Sequence, residues 1–148
     1  MTNKLKDLIE KYERQEYATG AGRAIHAQMQ HVFYTDKGWV GNQDIINRVS
    51  AIPELMEFMG VLSKTEVPIA GTINGKFISR RIDRLYVNND TKKVVVLDYK
   101  TDVDKKSFFE KYCEQLKEYY ELLKQIYNGF DIQCKILWLN DFTLENII

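Results

Sequence analysis

The chain is short of several things that would place it in common classes. It has only two cysteines, Cys113 and Cys134, far apart and outside any C-x-x-C spacing. A zinc site or iron–sulfur cluster built on cysteines is therefore not expected, and the pair reads as two reduced thiols. It has only 2 prolines and 45% hydrophobic residues, which argues against a disordered or low-complexity chain. No apolar run approaches the ~18 residues of a membrane span. Residues Met1 to Glu10 alternate charge with apolar side chains, unlike a signal peptide. The expectation is a cytoplasmic protein with no membrane partner. Charge of one sign is also missing: Lys plus Arg number 21 and Asp plus Glu number 21. This argues against wrapping nucleic acid by bulk charge and leaves room for a local basic patch. No G-x-x-x-x-G-K-[ST] occurs, so no P-loop motor is encoded.

What is present fits one domain, 1–148, in two parts. Residues 1–62 read as helical. Leu5, Leu8, Ile9 and Tyr12 recur at helical spacing over Asn3–Tyr17, and Gly20-Ala21-Gly22 interrupts. A second helix carries Ile25, Met29, Val32 and Phe33 as its stripe. A turn follows at Gly38–Gly41, then short helices over Asn42–Val49 and Pro53–Leu62. From Ser63 the period changes. Strands are expected over Ser63–Ala70, Gly75–Val87 and Lys92–Lys100, then an amphipathic helix over Ser107–Tyr127 and a strand over Asp131–Asn140. The long helix between two strands implies a crossover connection, so 63–148 reads as β-β-β-α-β. The fold class is α/β: a mixed sheet, made of a meander, a crossover helix and a further strand, flanked by helices.

The richest segment is Val94-Val95-Val96-Leu97-Asp98-Tyr99-Lys100. A buried strand of β-branched residues ends in an acid, an aromatic and a base. Alternation puts Asp98 and Lys100 on one face and Tyr99 on the other. Desolvating such a pair is costly unless a bound metal or anion uses it. Taken singly, the residues also allow plainer readings: a strand-end ion pair for Asp98 and Lys100, a salt-bridged strand acid for Asp83, and a core histidine for His26.

Taken together, five elements resemble the PD-(D/E)XK nuclease superfamily, and within it the nuclease domain of RecB- and AddA-type helicase–nucleases. They are Gly22-Arg23-Ala24-Ile25-His26, Glu66-Val67-Pro68, Arg81-Ile82-Asp83-Arg84, Leu97-Asp98-Tyr99-Lys100-Thr101 and Gln115-Leu116-Lys117-Glu118-Tyr119. The resemblance implies a restriction-endonuclease-like core and hydrolysis of DNA with Mg²⁺ or Mn²⁺. Asp83, Asp98 and Lys100 would be catalytic. His26, Asp83, Asp98 and the carbonyl of Tyr99 would hold the metal, and Lys100 would orient or deprotonate water, or stabilise phosphate charge. Gln115 and Tyr119 would contact DNA or position the lysine. Glu66 would bind a second metal through water or order His26. Apart from the resemblance, Arg80, Arg81 and Arg84 flank Asp83 and Lys105 and Lys106 follow the strand, a local basic cluster suited to backbone phosphates despite zero net charge. Exonucleolytic action in double-strand break repair and recombination follows from the same resemblance, with DNA and a helicase subunit or domain as partners. The rivals are an endonuclease of restriction or resolvase type and a catalytically silent binding fold. Two departures stand out: Ile82 replaces the superfamily's proline, and the four cysteines of its iron–sulfur members are missing.

Overall fold

A computed structural model describes residues 4–7, 20–101 and 105–148. Residues 4–7 are helical; the rest of the helix expected over Asn3–Tyr17 lies outside the described residues. The elements are α1 (Gly20–Met29), β1 (Phe33–Thr35), β2 (Gly38–Val40), α2 (Gln43–Ser50), a 3₁₀ helix (Pro53–Met59), β3 (Ser63–Ile73), β4 (Lys76–Asn88), β5 (Lys93–Lys100), α3 (Phe109–Ile126), β6 (Asp131–Trp138) and β7 (Thr143–Asn146).

Among the described residues, one five-stranded sheet has the order β3-β4-β5-β6-β7. Only β5 and β6 run parallel, and α3 connects them. The other neighbours are antiparallel. This is the mixed α/β sheet flanked by helices that the sequence pattern implies. Each face of the sheet has its own core. On one, Val94 and Val96 of β5 pack with Tyr112, Leu116, Tyr119, Leu122 and Leu123 of α3. On the other, Val95, Leu97 and Tyr99 pack with Met29 of α1, Ile45, Ile46 and Val49 of α2, and Leu55, Phe58 and Met59 of the 3₁₀ helix. Burial on both faces explains why β5 is a continuous apolar run and not an alternating one.

Local chemistry sets the boundaries. The side chain of Asn42 caps α2 by accepting from the amides of Asp44 and Ile45. Pro53 opens the 3₁₀ helix, where its missing N–H costs nothing. Asn74 (φ 51°) and Gly75 (φ 78°) form the tight β3–β4 turn that positive φ at both positions favours.

Four expectations need correction. Gly20 to Gly22 belong to the start of α1, where a break before the second helix is expected from the sequence. That helix ends at Met29, and Phe33 belongs to a small hairpin, β1–β2, in place of a helical stripe and a plain turn. The Thr35 hydroxyl donates to the Gly38 carbonyl and accepts from the Lys37 amide, and Gly38 supplies φ 103°. Strand β3 does not end near Pro68 but runs to Ile73; on an edge strand the proline need not donate a hydrogen bond. Strand β7 was not foreseen, because it is short and polar. Pairing with β6 holds it, with Trp138 donating to Glu145 and Lys135 to Asn146. No helix among the described residues is long and apolar enough to cross a membrane.

Candidate metal centre

The site forms where β4 turns over. Ile82 packs on the α3 side. Arg84, two residues on, is buried on the opposite side against the carbonyls of Met29 and Val32. In a regular strand, residues two apart share a face, so the chain reverses its faces at Asp83. Strand β3 does the same directly opposite. Its register passes from Thr65↔Arg84 to Val67↔Ile82, and Glu66 between them takes a left-handed backbone, φ 54°. For a glutamate this is a sparsely populated conformation, of the kind that concentrates at functional sites.

At the same level β4 and β5 part. Their pairing stops at Arg84↔Leu97. Beyond it the Tyr99 amide donates to Asp83 Oδ2 at 2.7 Å, so a side-chain carboxylate replaces the main-chain acceptor. The N–H and C=O of a strand residue point to the same edge, so the Tyr99 carbonyl opens into the same fork. From α1, His26 Nε2 lies 3.4 Å from Asp83 Oδ1. The His26 ring packs edge-on against Tyr99, with centroids 5.7 Å apart. Ligand atoms of His26, Glu66 and Asp83 all lie within 4.8 Å of one another.

One imidazole and two carboxylates make a donor set suited to Mn²⁺ and also acceptable to Mg²⁺. It differs from the expected one in that Glu66 joins His26 and Asp83. Asp98 sits on the other side of the strand, its Oδ2 3.0 Å from Lys100 Nζ. Asp98 is still near enough for its charge to act on His26. Burial by itself would lower the His26 pKa. The hydrogen bond to Asp83 and the charges of Asp83, Asp98 and Glu66 outweigh it, and the value rises above that of an ordinary histidine. Glu66 is also raised, first by burial and then by Asp83, against the opposing effect of His26 and Arg81.

The His26 shift has a signed consequence. With metal chelated, a raised folded-state pKa means that protonated His26 stabilises the fold. That stability is complete below the ordinary value of about 6.5 and is lost as pH rises through the folded value. The Tm difference between wild type and His26→Ala in EDTA should therefore shrink from about pH 6 to about pH 8. A difference that widens over that range would contradict this electrostatic balance.

Lys100 is held on the α3 side. It donates to Gln115 Oε1 at 3.1 Å, and its ammonium lies 4.3 Å from the centroid of the Tyr112 ring. Gln115 therefore contacts the lysine. The buried Tyr119 lies 3.5 Å from the Arg81 carbonyl through its hydroxyl, and at 2% exposure it offers no surface to DNA. Tyr112 was not singled out from the sequence, although it stands three residues before Gln115 and so shares its helix face.

Of the proposed phosphate contacts, Arg84 must be corrected. It is 0% exposed and donates to the Tyr99 hydroxyl, to Ser63 Oγ and to the carbonyls of Met29 and Val32. Its guanidinium also stacks on Phe33, 4.6 Å from the ring centroid. It is an internal clamp that no phosphate can reach. Arg80 pairs with Glu118 at 3.3 Å, and Lys105 with Asp141 at 2.7 Å. Arg81 stays on the surface, its side chain 70% exposed and 3.8 Å from Glu66.

No protein-family model matches this chain, and no curated protein matches it. Among solved structures it is similar to a protein named "Putative exonuclease" from Eubacterium rectale, with 16% identity and a TM-score of 0.49. The likeness covers 95% of this chain and 58% of that one, so this chain spans little more than half the length of that protein. A likeness at this level bears on neither activity nor substrate.

Proposed function

We propose that the chain, as one nuclease domain over residues 1–148, is a RecB-like nuclease that hydrolyses DNA phosphodiester bonds with Mg²⁺ or Mn²⁺. Its action would be exonucleolytic, in the processing of double-strand breaks. The observation that carries this reading is the fork. It brings the imidazole of His26 and the carboxylates of Glu66 and Asp83 to one point, beside a strand end that carries the buried pair Asp98 and Lys100.

In this reading His26, Glu66 and Asp83 hold the cation, with the Tyr99 carbonyl facing the same fork. A bound divalent cation supplies charge neutralisation at the phosphate and makes water a better nucleophile. Lys100 places a positive charge beside the phosphate oxygens or orients the attacking water. Asp98 and Gln115 hold that ammonium in one direction, so it need not reorganise when charge develops. A helicase partner, or a longer polypeptide carrying one, would deliver the strand ends.

The test is incubation with linear and closed-circular DNA in Mg²⁺, Mn²⁺ or EDTA, beside Asp98→Ala. Cleavage of linear DNA that requires metal and is lost in the variant is expected. Cleavage in EDTA, or wild-type activity in Asp98→Ala, would sink the assignment. Cutting of the closed circle would favour an endonuclease.

A further inference from the structure

The β3–β4 hairpin continues beyond the rest of the sheet. Strand β5 pairs with β4 only from Arg84 to Asn88, so residues 76–82 of β4 have β3 alone as a partner. One side of this two-stranded arm is covered. Val67, Ile69, Ile73, Ile78 and Ile82 pack into the α3-side core. A Cβ on Gly71 would meet Leu122 of α3 at 2.8 Å, and Arg80 pairs with Glu118 of α3. Alternation then assigns Pro68, Ala70, Thr72, Phe77, Ser79 and Arg81 to the other side, and every one of them is exposed.

The register pairs them across the ribbon as Pro68↔Arg81, Ala70↔Ser79 and Thr72↔Phe77. The face therefore carries a cation at one end, hydroxyls along it and an aromatic ring at the far end, with no acid among its six residues. A lone exposed apolar side chain is ordinary on a protein surface. Phe77 differs in its setting. It is 69% exposed on a face whose other members are the small residues Pro68, Ala70, Thr72 and Ser79 and whose inner end, Arg81, reaches Glu66 of the metal cluster. Phe77 and Arg81 are four residues apart, or about 13 Å along a strand.

We propose that this outer face is the track for a single DNA strand entering the site, with Phe77 stacking a base and Arg81 meeting the backbone phosphate next to the reacting one. An aromatic ring beside a cation on a shallow face is how unpaired strands are gripped without sequence preference. A duplex offers no free base to stack. The track thus selects a frayed or single-stranded end. This deepens the nuclease reading and rests on it.

The experiment has two arms. In EDTA, binding of a fluorescein-labelled oligothymidylate is followed by anisotropy. Phe77→Ala should weaken binding about tenfold and Phe77→Trp should restore it. Arg81→Ala should lower the slope of log affinity against log salt by about 0.7. With metal, Phe77→Ala should raise KM for the oligonucleotide. It should leave hydrolysis of bis(p-nitrophenyl) phosphate unchanged, because that ester is too short to reach the ring. Equal affinity of Phe77→Ala and wild type for the oligonucleotide overturns the track, whatever the hydrolysis shows. Dimers that dissolve in Phe77→Ala would overturn it as well, assigning the face to a second copy of the chain. Binding that depends on Phe77 without any hydrolysis would overturn the nuclease reading and leave the track standing.

Discussion

Lys100→Ala is expected to lower the rate of DNA cleavage at least a hundredfold, counted per folded molecule. The ammonium is 6% exposed, 3.0 Å from Asp98 Oδ2 and 3.1 Å from Gln115 Oε1, so its position is fixed before substrate arrives. Preorganised charge of this kind typically contributes a factor of about 100 to 1,000. The variant also strips Asp98, itself only 3% exposed, of its cation. Leaving one partner of a buried pair behind costs on the order of 3–5 kcal/mol, and that loss must be separated from catalysis. The double variant Lys100→Met, Asp98→Asn removes both charges at nearly constant shape and should regain most of the stability. Its cleavage rate should stay as low as that of the single variant. The measurements are kcat corrected for folded fraction and the urea midpoint. Recovery of activity together with stability would mean that Lys100 serves the fold and not the reaction.

Arg84→Ala should cost about 3–5 kcal/mol of stability, more than truncation of the more exposed Arg48, Arg80 or Arg81. Truncating a large, fully buried side chain costs roughly that amount through the cavity alone. Here the carbonyls of Met29 and Val32, Ser63 Oγ and the Tyr99 hydroxyl would also lose a charged donor. Arg84→Lys should rescue little, because an ammonium cannot reproduce the planar spread of a guanidinium. Chemical denaturation of the three proteins checks this. A shift below about 1 kcal/mol for Arg84→Ala would show that the surrounding groups find other partners. The clamp ties α1 to β3, β4 and β5 at once, so weakening it should also loosen the placement of His26 against Asp83.

The role of Arg84 is a case where sequence and structure part company. Three arginines around Asp83 suggested phosphate contacts, and regular alternation would have kept Arg84 on the face of Ile82. The reversal at Asp83 sends it into the opposite core. That reversal is matched across the pairing by the distortion of β3 at Glu66, a long-range arrangement with no local signature. The same distortion carries Glu66 into the cluster with His26 and Asp83. Elements with strong periodicity were legible: the β-branched run of β5, the broad stripe of α3, and the Asn42 and Pro53 helix starts. So was the facing of Asp98 and Lys100 on one side. Hairpin β1–β2 and strand β7 were not. Their residues are few and half-buried, and their pairing depends on neighbours that the local sequence does not name.

The parallel pairing of β5 with β6 has a consequence for persistence. It runs unbroken from Lys93↔Asp131 to Lys100↔Trp138, and both faces of β5 are filled by side chains. Segments bonded and packed in this way open last in a native protein, with free energies near that of global unfolding. Asp98 and Lys100 ride on that segment. Their mutual placement should therefore survive the partial openings that release helices and edge hairpins, and it should be lost only when the whole molecule unfolds.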